Sequence, residues 1–371
     1  MGYSKFINMK YSLLALMVCF LISCGEKTET VSTDEMIDLA ELRQEIAIHI
    51  TNDLILPAFQ ELNRKAASLN QAAVNFQQEA NQDNLITLRA EHQEFWNIWQ
   101  KTSLYYFGPS VNNGLRAGLN TYPTDADKIE NNIATGTYQI GSLGNQDAEG
   151  LPALDYLLNS IEEISPLADF SEARLDYIQV LTSAIQTKVS ASNDDWNKGV
   201  FVQQFTGTDA TGTDVGSALG LIVNGIDLHF QRFVRDGKVA IPAGLRSAGV
   251  VRPQSVEVLY GNYSTALLRN ALKAYQDYFN GTSLTRNDGP SILEYLRKID
   301  QPDLADQINT HFTILLEKVD RLDPSIAQQI EIDNEALIEV FLSMQDLVAI
   351  FKSDMASVMG ISITNQDNDG D

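Results

Sequence analysis

Three observations predict an all-α protein of two packed helical bundles. Apolar residues recur at spacings of three and four over long stretches from Glu35 onward. Clusters of glycine, proline and asparagine punctuate those stretches. No pair of segments reads as partnered strands. Roughly 345 residues remain once an N-terminal leader is set aside, enough for two domains or one large one. We divide the chain into an N-terminal helical domain, 35–198, and a C-terminal helical domain with an acidic tail, 199–371.

Residues 1–24 read as a leader outside the fold. Lys5 and Lys10 make it basic, and Tyr11 to Ile22 form an apolar core too short to span a bilayer. It ends in Leu21-Ile22-Ser23-Cys24, which resembles a bacterial lipoprotein cleavage site with Cys24 as the lipidated residue. Acyl chains on Cys24 would anchor the protein stably, each buried methylene contributing roughly 0.8 kcal/mol. The second cysteine, Cys19, leaves with the leader, so the mature chain has neither a thiol nor a disulfide. Residues 25–34 are a polar tether.

The first helix carries Leu39, Leu42, Ile46, Ile50, Leu54 and Ile55, and Pro57 should interrupt and kink it. Phe59, Leu62, Ala66, Leu69, Ala73 and Phe76 continue the apolar side. After the break at 81–84, a helix runs from about Leu85 to Tyr106 with Phe95, Trp96 and Trp99, and stops at Phe107-Gly108-Pro109. Residues 108–149 are loop-rich, with one short helix near 125–138. So long an irregular segment within a helical protein is more often functional than accidental. Leu175, Ile178, Leu181, Ile185 and Val189 mark another amphipathic helix.

Thr206 to Asp214 lacks hydrophobic content, and also lacks the closing Gly-Lys-Ser/Thr of a phosphate loop. A helix from about 215 to 236 precedes an irregular connection over 237–254. Helices over 263–279, 291–298, 304–319 and 326–351 complete the chain. The last has the clearest stripe, in Leu337, Phe341, Met344, Val348 and Phe351.

The formal charge is −23, and −25 once the leader's two lysines are gone. So acidic a surface argues against nucleic acid as a partner and is compatible with cations or with plain solubility. None of the four histidines, His49, His92, His229 and His311, is followed by an acid three residues on, and His-Glu-x-x-His is absent. His49, among apolar residues, reads as a structural histidine. The tail Asp367-Asn368-Asp369-Gly370-Asp371 has cation-binding composition but fails as an EF-hand loop, since its glycine is misplaced and no bidentate Glu follows.

The most informative stretch is Gly150-Leu151-Pro152-Ala153-Leu154-Asp155-Tyr156-Leu157-Leu158. Pro belongs in a helix's first turn, so Gly150 or Leu151 should be the N-cap, with Asp155 about one turn inside. Asp155 is then either a surface residue or a carboxylate aimed into a cleft. The stretch resembles the signature region of the imelysin-like family, whose peptidase-type members carry G-x-H-x-x-E. Here Pro152 stands in the His position and Asp155 in the Glu position. Leu56-Pro57-Ala58-Phe59, Phe95-Trp96-Asn97-Ile98-Trp99, Phe107-Gly108-Pro109 and Tyr122-Pro123-Thr124-Asp125 are similar to further landmarks of that family. So are Ser217 to Asn224, Lys238 with Pro242 and Gly244, Glu257, and Tyr263-Ser264.

The resemblance implies two helical domains with a cleft between them, an envelope location and a family history in iron-regulated uptake beside a peptidase label. Pro152 cannot ligate a metal, and Asp155 is one methylene shorter than Glu, so the peptidase label transfers badly. The resemblance thus favours a non-catalytic, lipid-anchored binding protein of the outer membrane, with iron or another divalent cation, or a small ligand, as its cargo. A metallopeptidase with a non-standard metal site and a structural module of an envelope assembly are the alternatives. We expect Asp155 and Tyr156 to face a polar pocket formed with Tyr122–Asp125 and residues 108–118. Arg246 or Tyr263 should close it, and Arg116, Lys128 and Arg246 are the cations available to the carboxylate.

Overall fold

The computed structural model describes residues 33–160, 170–283 and 288–364, with side chains from 38. Cys24, tether residues 25–32 and the tail at 367–371 lie outside the described residues, while Thr33 and Asp34, assigned to the tether by sequence, begin the first helix. Among those described there is no strand, and the architecture is all-α.

In the first half, α2 (Leu56–Gln78) packs on both α3 (Gln82–Thr102) and α8 (Glu172–Lys198). Their buried faces follow the predicted stripes, from Phe59, Leu62 and Phe76 on α2 to Ile178, Ile185 and Trp196 on α8. Phe59 and Trp196 meet at 5.6 Å between ring centroids. Between α3 and α8 the chain makes α4 (Pro109–Asn112), α5 (Leu115–Leu119), α6 (Ala126–Thr135) and α7 (Gly150–Asn159). The last of these packs on both α3 and α8.

The second half follows the short α9 (Val200–Phe205). It contains α10 (Ala218–His229), α11 (Ser264–Asn280), α12 (Ile292–Lys298), α13 (Pro302–Val319), α14 (Ile326–Ala349) and α15 (Ala356–Met359). Phe230, Phe279, Phe312 and Phe351 form its aromatic centre, the Phe279 and Phe351 rings stacked at 4.9 Å. Contact of α11 with α3 joins the halves.

Three local expectations are corrected. Pro57 does not end the first helix: α1 (Thr33–His49) passes through a π-helical turn, Ile50–Ile55, directly into α2. The wider turn lies just ahead of the proline, whose missing N–H and bulky ring an ordinary register would not accommodate. The helix expected to stop at Asp236 runs on as a π-helix, Phe230–Ala240. Gly237 is not a terminator there; an added Cβ would come within 3.0 Å of the Tyr122 hydroxyl, so glycine permits that close approach. The C-terminal helix is broken at Asp333 (φ −158°, ψ 89°), whose carboxylate then caps the next turn through the Ala336 N–H at 3.3 Å. In addition α1, grouped by sequence with 35–198, packs on α10 and α12, with Arg43 donating to Tyr295 Oη at 3.0 Å and Gln44 to the Thr206 carbonyl at 3.1 Å.

Candidate functional site

Helix α7 starts at Gly150, and its N-cap is Glu149 rather than Gly150 or Leu151. Gly150 adopts φ +78°, and a Cβ there would sit 2.5 Å from the Leu119 carbonyl oxygen. Only glycine lets α7 begin so close to the end of α5. Pro152 lies in the first turn and is buried, as are Leu151, Leu154, Leu157 and Leu158.

Asp155 is 1% exposed. Its Oδ2 accepts the backbone N–H of Tyr260 at 2.8 Å and its Oδ1 accepts Asn159 Nδ2 at 2.9 Å, with the N–H groups of Leu259 and Gly261 adding to the shell. Burial pushes the carboxyl up to about 6, and these donors offset only part of that effect. The partners are therefore the 259–261 loop of the second half, not the Tyr122–Asp125 loop or a cation. A run of successive backbone N–H groups satisfies a carboxylate without a counter-ion.

Beside this contact lies a second buried centre. Glu257 is buried, and its carboxylate pairs with Lys238 Nζ from the π-helix. Its Oε1 also accepts Asn120 Nδ2 at 2.6 Å, Gln100 Nε2 at 2.9 Å and Trp96 Nε1 at 3.3 Å. Burial alone would raise the Glu257 carboxyl; the Lys238 charge and these donors outweigh it and hold it below the ordinary value. Burial also lowers Lys238, against the pull of Glu257. His229 nearby donates or accepts between Nδ1 and Tyr275 Oη at 2.7 Å, and burial with the Arg116 and Lys238 charges keeps it neutral. Tyr263 links the two centres: its ring packs edge-on to Trp96 at 6.2 Å and lies against Gly261 beside Asp155.

The remaining residues singled out from sequence divide between this seam and other places. Arg116 and Tyr122 belong to the Glu257 side, Arg116 donating to the Asn120 carbonyl at 2.8 Å and covering the Phe233 ring at 3.7 Å. Tyr156, next to Asp155 in sequence, points elsewhere and donates to Glu130 at 2.8 Å. Asp125 caps α6 through the Lys128 N–H at 2.9 Å, and the Lys128 ammonium binds Asp147 at 2.7 Å. Arg246 pairs with Asp236 at 2.9 Å, and Ser264 accepts the Ile326 N–H at 2.7 Å. None of these five side chains touches Asp155, because α7 turns that face toward the 259–263 loop. His49 is buried and bonded on both ring nitrogens, to Asp53 and to the Gly281 carbonyl, each at 2.9 Å.

The pairing of Lys238 with Glu257 was not foreseen, although a faint signal exists. Phe230, Val234 and Lys238 share a buried stripe, and Glu257 lies between buried Val256 and Val258. A charge interrupting an apolar run in two distant segments suggests a buried pair.

The family model of imelysin, Peptidase_M75, matches residues 55–350. The chain belongs to the imelysin family. An imelysin-like protein from Psychrobacter arcticum 273-4 shares its fold with a TM-score of 0.72 at 18% identity, over 88% of this chain and 98% of that one. A protein from Parabacteroides distasonis ATCC 8503, described as a "putative iron-regulated protein A precursor", superposes with a TM-score of 0.73 at 14% identity, over 86% of this chain and 95% of that one. A comparison with curated proteins found no match. Helix α7 does not fit a metal. Pro152 has no ligating atom, both Asp155 oxygens face N–H donors, and His92 Nε2 lies on the Leu151 carbonyl at 3.1 Å. Among the described residues no group of three or more His, Cys, Asp or Glu is placed to hold a metal ion.

Proposed function

We propose that this imelysin is a binding protein of the bacterial envelope, held at the outer membrane by a lipid on Cys24, that takes part in iron acquisition without cleaving peptides. It would belong to a subgroup in which Gly-Leu-Pro-Ala-Leu-Asp replaces the G-x-H-x-x-E signature. One observation carries the non-catalytic reading: the carboxylate in the signature position spends its oxygens on the 259–261 backbone and Asn159. A hydrolytic zinc site needs about three protein ligands and an open position, and a general base needs a free lone pair toward water. The iron-regulated description of the Parabacteroides protein supports the physiological side of the proposal.

Metal analysis of the purified mature protein, combined with a peptidase assay in the presence and absence of chelator, tests it. Iron without chelator-sensitive cleavage is the expected result. Stoichiometric zinc with cleavage that follows the protein through purification would establish a peptidase with a different metal site. Absence of any metal would favour a structural module.

A further inference from the structure

A cavity of about 500 Å³ opens between the C-terminal end of α3, α11 and the π turn ahead of α2. It is lined by residues other than those of the Asp155–Glu257 seam. Leu54, Ala58 and Ala274 supply apolar wall, together with the rings of Tyr105 and Tyr278, which meet edge-on at 6.1 Å. Tyr278 is 1% exposed, and its hydroxyl has no hydrogen-bond partner among the described residues.

Four charges share this lining, and only two of them are paired. Lys273 and Asp277 bind each other. Lys101 and Asp288 line the same cavity without an ion pair among the described residues. Glu61, the acid on α2 that feels the Lys101 charge, is already taken by Arg64 at 2.5 Å. A cavity of this volume is in the range of small-ligand sites. An anion on Lys101 would leave Asp288 without a counter-charge, and a cation on Asp288 would leave Lys101 without one. An apolar molecule would strip water from Lys101 and Asp288 without compensation. A molecule carrying one charge of each sign leaves none uncompensated.

We propose that this cavity binds a zwitterion of amino-acid or dipeptide size, its carboxylate on Lys101, its ammonium on Asp288 and its side chain against Tyr105 and Tyr278. Calorimetric titration of the mature protein with the twenty free amino acids and a set of dipeptides, each also with its amino end acetylated or its carboxyl end amidated, tests this. Saturable binding of at least one zwitterion is expected, weakened about tenfold or more by blocking either end. Lys101→Met and Asp288→Asn, both outside the packed core, should each weaken it comparably, and Ala274→Trp should abolish it by filling the space. If Ala274→Trp fails to fold, the two charge variants decide alone. Failure of every zwitterion to bind, or binding indifferent to Lys101→Met and Asp288→Asn, would overturn the proposal.

Discussion

Lys238 and Glu257 form an ion pair in which the two side chains are 6% and 2% exposed. One comes from the π-helix and the other from the loop that also holds Asp155, so the pair ties the seam together from within. Removing one member of such a pair strands a charge in a medium that solvates it poorly, whereas removing both does not. Lys238→Met should cost about 3–5 kcal/mol in urea unfolding. Lys238→Met combined with Glu257→Gln should recover at least half of that loss, since the Gln oxygen still accepts from Trp96, Gln100 and Asn120. Additive losses would show that the two charges do not interact.

Where α7 meets α3, two buried titrating groups, Asp155 on α7 and His92 on α3, have opposite effects on stability. Asp155 has its pKa raised to about 6 by burial, so the folded state binds its proton more tightly than the unfolded chain does. Its contribution is full below the unfolded value near 3.8 and is lost as pH rises through about 6. His92 is lowered from 6.5 to about 4, again by burial, so its contribution is full above 6.5 and is lost as pH falls toward 4. Each effect is about 3 kcal/mol, and in the wild type they largely cancel between pH 4 and 6.5. Asp155→Asn should therefore make stability fall on acidification through this window, while His92→Gln should make it rise. Unfolding free energies at pH 4 and 7 for the three proteins check this; parallel pH profiles would refute both assignments.

Much of this architecture was legible in the sequence. The stripes on α2 and α8 have the period of a helix and are buried as that period requires. The π segments were not legible, because a π turn leaves no periodicity of its own and depends on what the helix packs against. The partner of Asp155 was not legible for a related reason: a backbone N–H carries no residue identity, so nothing in the sequence marks Tyr260 as its donor. Tyr156 does not share the surroundings of Asp155 because neighbours in sequence on a helix point about 100° apart.

Two glycines with similar backbone angles separate strain from crowding. Gly150 and Gly141 have φ of +78° and +83°, but a Cβ at Gly141 meets nothing within 4 Å, whereas one at Gly150 collides with the Leu119 backbone. Gly141→Ala should cost about 1 kcal/mol from conformation alone. Gly150→Ala should cost about 3 kcal/mol, because α7 must also move away from α5. Thermal unfolding of both variants gives the comparison. Equal losses would mean that the approach of α7 to α5 is not tight.

Anchoring gives the last test. Among the described residues no helix is long and apolar enough to cross a membrane, and the apolar core of the leader is itself short. If lipid on Cys24 holds the protein, the attachment rests on acyl chains that each contribute roughly 0.8 kcal/mol per buried methylene, with no polypeptide insertion beside them. The formal charge of −23 adds no electrostatic attraction to an anionic bilayer. Cys24→Ser removes the attachment point but leaves the helical body and the charge balance unchanged. The variant should leave the membrane pellet for the soluble envelope fraction, while the wild type remains with membranes after a high-salt wash and partitions into detergent. Retention of Cys24→Ser in washed membranes would mean that another part of the chain, or a partner protein, does the holding.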